Sequence, residues 1–416
     1  MNVVIAQSDL VTAYGWGIDA LWNGLLGGET AIAAIDRFAE RGFTSDQAAV
    51  IPDLEVDPNG SRVMAMLNRL LTPLIGKLDP MTPLILSTTV GEIDYVERSI
   101  LQGHAELAAE ARPQVMLARI KALLQLRGAG MVISSACASS SMAVTQAASL
   151  IRRGDEKAVL VVACDAVSEF VYSGFSTLHS LCAAPARPFD ESRNGLTLGE
   201  AAAWALVVSD DLQSDVSTTP PTPALRYSEE PDRPPKPDSS DYLRPRDPGI
   251  LKSPPRESKT SILGWGNTTD ATHMTAPDRN AGGLSRAIGK ACSMAKRQAD
   301  EISFIAAHGT ATIYSDAMEM LAFGNTIPKP KPVFSIKGGV GHTLATAGLL
   351  QILVAGRAIS RGVVPATVGL RSPDPAAIDW AHTMPAPIGR APLALSTNSG
   401  FGGVNTAILL GEGNQA

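Results

Sequence analysis

The sequence contains no long apolar run and no export signal. No stretch of about 18 or more apolar residues occurs, although a bilayer-spanning helix needs roughly 20 of them. The first residues, MNVVIAQSDLVTAYGWG, lack the basic flank, apolar core and small-residue cleavage site of a signal peptide. We therefore expect no membrane span and a cytoplasmic location.

Cysteine is scarce, and basic residues are not clustered. The four cysteines form no CxxC pair and no Cys/His ligand spacing, which favours neither disulfides nor a metal site. The net charge is −6 and no block of Lys and Arg stands out, so a nucleic-acid partner is not expected. With 416 residues, 45% of them hydrophobic, the chain can bury a large core. The cysteines are Cys137, Cys164, Cys182 and Cys292.

One segment departs from globular composition. Residues 214–259 are rich in proline and in charges of both signs, and they contain few large apolar side chains. Such a composition buries too little apolar surface to offset the conformational entropy that ordering costs. We predict a flexible Pro-rich insertion here, which separates residues 1–213 from residues 260–416.

Each flanking part has the pattern of an α/β protein. Residues 130–137 are an apolar run that ends in small residues, residues 139–153 favour a helix closed by Gly154, and residues 158–164 predict a buried strand. This order favours a pair of parallel strands joined by a crossover helix. The second part has a similar series of short strands, an apolar helix and two strands around a glycine turn: residues 302–310, 332–336, 343–362 and 393–412.

Cys137 lies where the first apolar strand meets the helix, within SSACASSS. A thiol at a helix N-terminus faces unpaired N–H groups and the positive end of the helix dipole, and both favour the thiolate. The same N–H groups could stabilise an oxyanion on a bound thioester. Buried cysteines are more often inert, so this segment alone leaves a reactive and an inert thiol open.

His308 follows a predicted strand and opens a Gly/Thr loop in HGTATIYSDAME. Histidine is the side chain best suited to proton transfer near neutral pH. Taken alone, a histidine in such a loop is more often structural. The loop also brings two hydroxyls and two carboxylates close in sequence: Thr310, Thr312, Asp316 and Glu319.

Two further segments are rich in glycine. SIKGGVGHTLATAG places Lys337 and His342 just before the apolar helix, without the residue order of a P-loop. NSGFGGVN surrounds Phe401 with glycines, which allow its backbone N–H to approach a substrate oxygen. A tightly packed loop with a surface lysine and an ordinary hairpin turn are the alternatives for the two segments.

The order of these segments is more specific than any one of them. An AC-small-small cysteine segment, PFDxxRxGxxLGE, HGTxTxxxDxxE, SxKxxxGHTxxxAG and GFGGxN follow one another from Cys137 to Asn405. This succession resembles the elongating β-ketoacyl-ACP synthases of the thiolase superfamily, and the resemblance covers both parts of the chain. For the second motif we predict structural ion pairs of Asp190, Arg193 and Glu200.

The resemblance implies a thiolase-like five-layered α/β/α/β/α fold from two related halves, usually as a homodimer. It implies that Cys137 accepts an acyl chain from an acyl carrier protein, and that the backbone N–H groups of Cys137 and Phe401 form the oxyanion hole. Lys337 would orient the site with Glu319 as its acidic partner. The remaining implied residues are two active-site histidines, a supporting carboxylate and two threonines that hold the phosphopantetheine arm: His308, His342, Asp316, Thr310 and Thr312.

The implied reaction is a decarboxylative Claisen condensation. The cysteine thioester divides the reaction into two easier steps, and two imidazole N–H donors hold the enolate left when malonyl-ACP loses carbon dioxide. No metal or redox cofactor is implied. A biosynthetic thiolase would need a second cysteine near the C-terminus, and none follows Cys292. Initiating synthases use Cys-His-Asn rather than Cys-His-His.

Three departures from the family pattern favour a polyketide, polyene or specialised-lipid pathway over housekeeping fatty-acid synthesis. The region between Ile32 and Pro83 is shorter than the family pattern. Ser399 occupies the position of a gating phenylalanine, which predicts a more open acyl pocket. The Pro-rich insertion is also unusual. Arg62 and Arg69 are candidate contacts for an acidic carrier protein.

Other functions of the same fold remain alternatives. They are a chain-length-factor-like subunit in a heterodimer, a malonyl-ACP decarboxylase that does not elongate, and a non-catalytic scaffold. Chain-length factors generally lack the nucleophile, so Cys137 disfavours the first.

Overall fold

The computed structural model describes residues 2–211 and 259–413. The predicted insertion of residues 214–259 lies outside the described residues except for Lys259, so its limits stay a prediction. The described strands are β1 Val3–Thr12, β2 Gly15–Trp16, β3 Ala33–Ala34, β4 Gln47–Ala49, β5 Leu84–Ser87, β6 Gly130–Ile133, β7 Ala158–Asp165, β8 Leu198–Gly199, β9 Ala201–Ser209, β10 Thr260–Thr269, β11 Ile302–Ala306, β12 Val333–Phe334, β13 Val363–Val364, β14 Ala386–Pro387, β15 Leu393–Gly400 and β16 Val404–Glu412. The described α-helices are α1 Ile18–Gly27, α2 Arg62–Leu71, α3 Asp94–Gln102, α4 Pro113–Leu123, α5 Ser139–Arg153, α6 Glu169–Thr177, α7 Gly282–Ala295, α8 Ile313–Thr326, α9 Lys337–Val340 and α10 Ala347–Arg361.

The main sheet has the order β12-β11-β15-β16-β10-β1-β9-β7-β5-β6, with β2 added to β1. Its two halves have the same topology. From either outer edge, two parallel pairings are followed by two antiparallel pairings. A short antiparallel pairing of β1 with β10 joins the halves at the centre. This repeated topology confirms the two related halves.

The predicted pairing of the strand–helix–strand unit was wrong in one respect. Helix α5 connects β6 to β7 along the chain, and the two strands run parallel. In the sheet, however, β5 lies between them and pairs with both. Hydrophobic periodicity reveals each strand and the crossover helix. It does not reveal an earlier strand that is inserted between them.

Five layers result from the way each strand buries both faces. In β7, Val159 and Val161 face the middle layer, which contains α5 and α10, whereas Leu160 and Val162 face the outer layer with α2 and α4. In the second half, α7 and α8 form the other outer layer. Strands buried on both faces are continuously apolar, and the fold is the predicted thiolase-like α/β/α/β/α arrangement. In the part of the chain described, no helix is long and apolar enough to cross a membrane.

The middle layer depends on a close helix contact at Gly348. A methyl group added there would collide with Ser141 Oγ and lie 2.9 Å from the Ser141 backbone nitrogen. We expect Gly348→Ala to lower the free energy of unfolding by about 1–3 kcal/mol, because neither buried helix can move away freely. Gly324 lies in α8 with open space around its Cβ position, so Gly324→Ala is the control. Equal urea midpoints for the two variants would contradict the prediction.

Candidate active site

Cys137 lies at the strand-to-helix junction that the sequence predicted. Strand β6 ends at Ile133 and helix α5 begins at Ser139. Between them, Ala136 has a left-handed φ of 48°, which is uncommon for a residue with a side chain. This turn places the buried thiol at the N-terminal end of α5, where the backbone N–H groups of Phe401 and of Cys137 itself favour the charged form of the sulfur.

Burial dominates the electrostatics of this thiol. Burial raises the pKa of Cys137 to about 11. The Lys337 ammonium and the backbone N–H groups of Phe401 and Cys137 have the opposite effect and lower this pKa, but by less. These two backbone groups lie outside helix α5, so the predicted effect of the helix-terminal N–H groups stays a prediction. Desolvation outweighs the groups that favour the thiolate. In the free protein the thiol is protonated at neutral pH.

His342 contacts the thiol directly. Its Nε2 lies 2.9 Å from Cys137 Sγ, and the backbone N–H of Leu344 donates to its Nδ1 at 3.3 Å. Burial, with the nearby Lys337 charge, holds the pKa of His342 well below its usual value, so the ring is neutral. Because Nδ1 accepts a hydrogen bond, the single proton of the neutral ring is on Nε2.

His308 has the same protonation pattern for a different reason. Lys337 Nζ lies 3.3 Å from its Nδ1 and also donates to its backbone carbonyl. Burial and the positive charge of Lys337 lower the pKa of His308 well below its usual value. The Lys337 ammonium donates to Nδ1, which again leaves the ring proton on Nε2. The His308 and His342 rings meet edge to face, with centroids 5.4 Å apart.

The tertiary structure assembles a Cys/His cluster that sequence spacing did not reveal. Cys137 Sγ and one nitrogen each of His308 and His342 lie within 4.8 Å of one another. A metal would need lone pairs on these nitrogens, but the hydrogen bonds to both Nδ1 atoms leave N–H donors on the Nε2 atoms. The set is therefore arranged to donate hydrogen bonds to a substrate oxygen.

Lys337 affects the thiol by charge alone, which makes its role measurable. Burial lowers the pKa of Lys337 to about 8, so it is mainly protonated at pH 7, and its charge lowers the pKa of Cys137. Only the thiolate is alkylated, so the iodoacetamide rate of the wild type should rise with pH above neutrality. In Lys337→Met the thiol pKa rises further, and the rate at pH 8 should fall about tenfold for each unit of the rise. The control is Lys329→Met, since Lys329 is exposed. If wild type, Lys337→Met and Lys329→Met had the same dependence of alkylation rate on pH, the proposed effect of the Lys337 charge on Cys137 would be wrong.

Glu319 forms direct hydrogen bonds with the His308 loop and interacts with Lys337 through charge. Its carboxylate accepts hydrogen bonds from the backbone N–H groups of His308 and Gly309, at 2.8 and 2.6 Å, and from Thr397 Oγ1 at 2.9 Å. Burial raises the pKa of Glu319 to about 7. The charges of the two groups also interact: Glu319 raises the pKa of Lys337, and Lys337 lowers the pKa of Glu319. Glu319 is thus an acidic partner of Lys337 through charge, while its direct hydrogen bonds go to the backbone of the His308 loop and to Thr397.

Asp316 and the two threonines shape the rest of this loop. Asp316 accepts hydrogen bonds from the backbone N–H groups of Phe189, Thr310 and Ala311 at 2.8, 2.9 and 3.1 Å. Burial raises the pKa of Asp316 to about 6. The hydroxyls of Thr310 and Thr312 lie 2.9 Å apart, and their binding of pantetheine remains a prediction.

The predicted ion-pair residues have partners elsewhere in the chain. Arg193 binds Asp374 at 2.7 Å and lies 3.8 Å from Asp316. The Asp190 carboxylate accepts backbone and hydroxyl hydrogen bonds, which lower its pKa to about 2.

The predicted carrier contacts Arg62 and Arg69 have different surroundings. The Arg62 side chain is only 16% exposed, and its Nε donates to Glu200 at 2.7 Å. Arg62 is thus occupied within the protein. Exposed Arg69 lies over the Trp16 ring at 4.0 Å, so of the two only Arg69 presents an exposed side chain to a partner.

A cavity of about 730 Å³ opens beside Cys137. The Phe175 and Phe401 rings stack in its wall with centroids 5.7 Å apart. The wall is mainly apolar, so it suits an acyl chain better than a polar ligand. Its large apolar side chains are Ile100, Leu101, Phe170, Phe175, Leu178, Leu344 and Phe401, and Glu97 and Glu169 also line it.

Ser399, the predicted gate position, lies outside the lining of this cavity among the described residues. Its hydroxyl bonds to Asn405 Oδ1 at 2.7 Å. If this small side chain leaves the acyl path open, Ser399→Phe should slow acylation and change chain-length preference. Ser399→Ala loses the same hydrogen bond without adding a ring, so it is the matched control. Equal acylation rates with long and short acyl-ACP for both variants would refute the gate hypothesis.

Gln351 is a site residue that the sequence analysis missed. From the buried helix α10, its Nε2 donates to the carbonyls of Ala307 and Thr397 at 2.8 and 3.0 Å, and its Oε1 lies 3.3 Å from Lys337 Nζ and 3.2 Å from Asn398 Nδ2. One amide thus links the segments that carry His308, Lys337 and Phe401. A single glutamine in the apolar run LLQILVAG was the available signal.

Family models match both halves around this site. The model "Beta-ketoacyl synthase, N-terminal domain" matches residues 86–212, and "Beta-ketoacyl synthase, C-terminal domain" matches residues 260–371, together more than half of the chain. The chain belongs to the β-ketoacyl synthase family. The two matches include Cys137 in the first half and both histidines in the second.

Similar proteins extend the match to nearly the whole chain of this synthase. It is 25% identical to the oxytetracycline polyketide β-ketoacyl synthase 1 of Streptomyces rimosus, over 99% of this chain and 97% of that protein. It is 23% identical to 3-oxoacyl-[acyl-carrier-protein] synthase 2 of Coxiella burnetii, over 98% of each. The solved ishigamide ketosynthase/chain length factor has a TM-score of 0.80 at 23% identity, over 99% of each chain.

Proposed function

We propose that this synthase condenses an acyl group held on Cys137 with the malonyl group of malonyl-ACP and releases β-ketoacyl-ACP and carbon dioxide. One observation carries the proposal. The Nε2–H of His342 lies 2.9 Å from the nucleophile, His308 lies beside it, and hydrogen bonds at both Nδ1 atoms keep both Nε2 protons in place.

In the first half-reaction, Cys137 takes the acyl group from its carrier. The sulfur attacks the thioester carbonyl, whose oxygen becomes an oxyanion held by the backbone N–H groups of Cys137 and Phe401. The carbonyl re-forms as the bond to the carrier sulfur breaks, and the thiol proton leaves with that sulfur. The apolar cavity holds the acyl chain.

In the second half-reaction, malonyl-ACP occupies the place that the carrier has left. The Nε2–H groups of His308 and His342 bond to its thioester oxygen, and the bond to the carboxylate breaks with release of carbon dioxide. The electron pair forms an enolate, whose carbon attacks the acyl carbonyl on Cys137. The sulfur then leaves and takes up one proton from solvent, and the extended chain stays on the carrier.

The partners and cellular setting follow from this chemistry. We propose an acyl carrier protein as donor and acceptor, with Thr310 and Thr312 against its phosphopantetheine and no further cofactor. The name of the Streptomyces rimosus relative supports a polyketide pathway. The ishigamide ketosynthase/chain length factor supports a ketosynthase-like second subunit as an alternative to a homodimer. We further propose a cytoplasmic location.

The ratio of two products tests the proposal. Acyl-ACP and malonyl-ACP are incubated with the protein, and carbon dioxide and β-ketoacyl-ACP are both quantified. Condensation predicts equal amounts. Carbon dioxide without β-ketoacyl-ACP would identify a decarboxylase, and neither product from a range of acyl-ACPs would support a non-condensing subunit.

A further inference from the structure

Asp165 is a buried carboxylate beside the site that no step above uses. It is the last residue of β7 and has no exposed surface. Its Oδ1 accepts from Thr88 Oγ1 at 2.8 Å, and its Oδ2 accepts from Thr89 Oγ1 at 2.8 Å. The Thr89 backbone N–H lies 3.0 and 3.1 Å from the two oxygens. These bonds fix the end of β7 to the segment that follows β5.

One further bond crosses to the other half of the chain. Asp165 Oδ2 accepts from the backbone N–H of Ala345 at 2.8 Å. Ala345 follows Leu344, whose φ of 51° is left-handed. A branched side chain disfavours this conformation, which persists only where surrounding contacts impose it. The Asp165 bond holds the turn immediately after Leu344.

The same turn determines the protonation of His342. The Leu344 N–H donates to His342 Nδ1 at 3.3 Å, and this places the ring proton on Nε2, which faces Cys137 Sγ. Without that bond, either nitrogen of the neutral ring could carry the proton. The donor depends on a strained turn, and the turn is held from outside by Asp165.

We propose that Asp165 is a positioning residue for the condensation: by anchoring the Leu344–Ala345 turn, it keeps the His342 proton on Nε2. The functional part of this inference rests on the proposed role of His342. Asp165 also opposes the nucleophile electrostatically, since its negative charge raises the pKa of Cys137. Its effect on geometry and its effect on charge can therefore be separated by substitution.

Two substitutions make this separation. In Asp165→Asn, the amide oxygen can accept from Ala345 and Thr89 while the NH₂ group donates to Thr88, so the geometry is kept and the charge is removed. In Asp165→Ala, the hydrogen bonds and the negative charge are both lost. The readout is the ¹⁵N chemical-shift pattern of ¹⁵N-histidine-labelled protein near neutral pH, which distinguishes Nε2–H from Nδ1–H, with His342 assigned from a His342→Ala sample.

We expect wild type and Asp165→Asn to show the Nε2–H form of His342 and Asp165→Ala to show a mixture with Nδ1–H. Carbon dioxide release from malonyl-ACP should fall in Asp165→Ala in proportion to the Nδ1–H fraction, about twofold for an equal mixture, since that fraction lacks one hydrogen-bond donor to the enolate. In Asp165→Asn the Cys137 alkylation profile should move to lower pH. Thr88→Val removes another bond to the same carboxylate, so it should lower stability and leave the His342 signals unchanged.

An unchanged Nε2–H signal in folded Asp165→Ala would overturn the proposal. If Asp165→Ala does not fold, Asp165→Ser is measured in its place, because its shorter hydroxyl should not reach Ala345. Failure of both to fold would assign Asp165 to the fold alone and also overturn it. The NMR measurement needs no substrate, so a failure of this inference is distinguishable from a failure of the proposed condensation.

Discussion

A Cys137→Ser variant should lose acyl-enzyme formation by about 10³-fold or more, because loss of a nucleophile usually costs at least that much. Serine could replace cysteine only if a base removed its proton. His342 cannot do so readily, since its Nε2 carries a proton and its Nδ1 accepts from Leu344. Intact-mass measurement after incubation with acyl-ACP gives the extent of acylation directly.

The control for this experiment is Cys292→Ser. Cys292 is another free, buried cysteine, but it lies in the outer-layer helix α7. Its variant should be acylated at the wild-type rate. Equal acylation of Cys137→Ser and wild type would show that the acyl group is carried elsewhere.

Substitution of the two histidines should separate the half-reactions. His308→Ala should reduce decarboxylation by about 10²–10³-fold, as for loss of one oxyanion donor, yet leave Cys137 acylation largely intact. His342→Ala should impair both, because its Nε2–H contacts Cys137 Sγ at 2.9 Å. Carbon dioxide release and the acyl mass on Cys137 are measured in parallel.

Exposed His382 provides the control for these variants, and His382→Ala should match wild type in both assays. The distinction between the two histidines rests on a single contact with the sulfur. If His308→Ala and His342→Ala showed the same loss in both half-reactions, the assignment of that contact to the acylation step would be wrong.

The order of motifs predicted much of this site from sequence. Cys137 is far in the chain from His308 and from the segment that carries Lys337 and His342, yet the structure brings these residues together as the resemblance implied. The motifs could not show which nitrogen of each imidazole carries the proton. That depends on the Leu344 N–H and on Lys337 Nζ, and so on the path of the backbone after each motif.

Other features could not be predicted because they depend on through-space partners. Gln351 and Asp165 are single polar residues in apolar segments, and only the tertiary structure shows that they bond to three site segments and to the turn after His342. The sequence also could not predict that β5 lies between β6 and β7 in the sheet. The raised pKa of Cys137 reflects complete burial, which a helix-start motif does not encode.

Transfer of the acyl group through Cys137 into a new carbon–carbon bond is tested most directly by a two-step mass measurement. Protein loaded with acyl-ACP is freed of carrier and then mixed with malonyl-ACP. We expect the acyl mass to leave Cys137 and a β-ketoacyl chain longer by two carbons to appear on the carrier. An acyl mass that never appears on Cys137, or that stays there while carbon dioxide is released, would contradict this function.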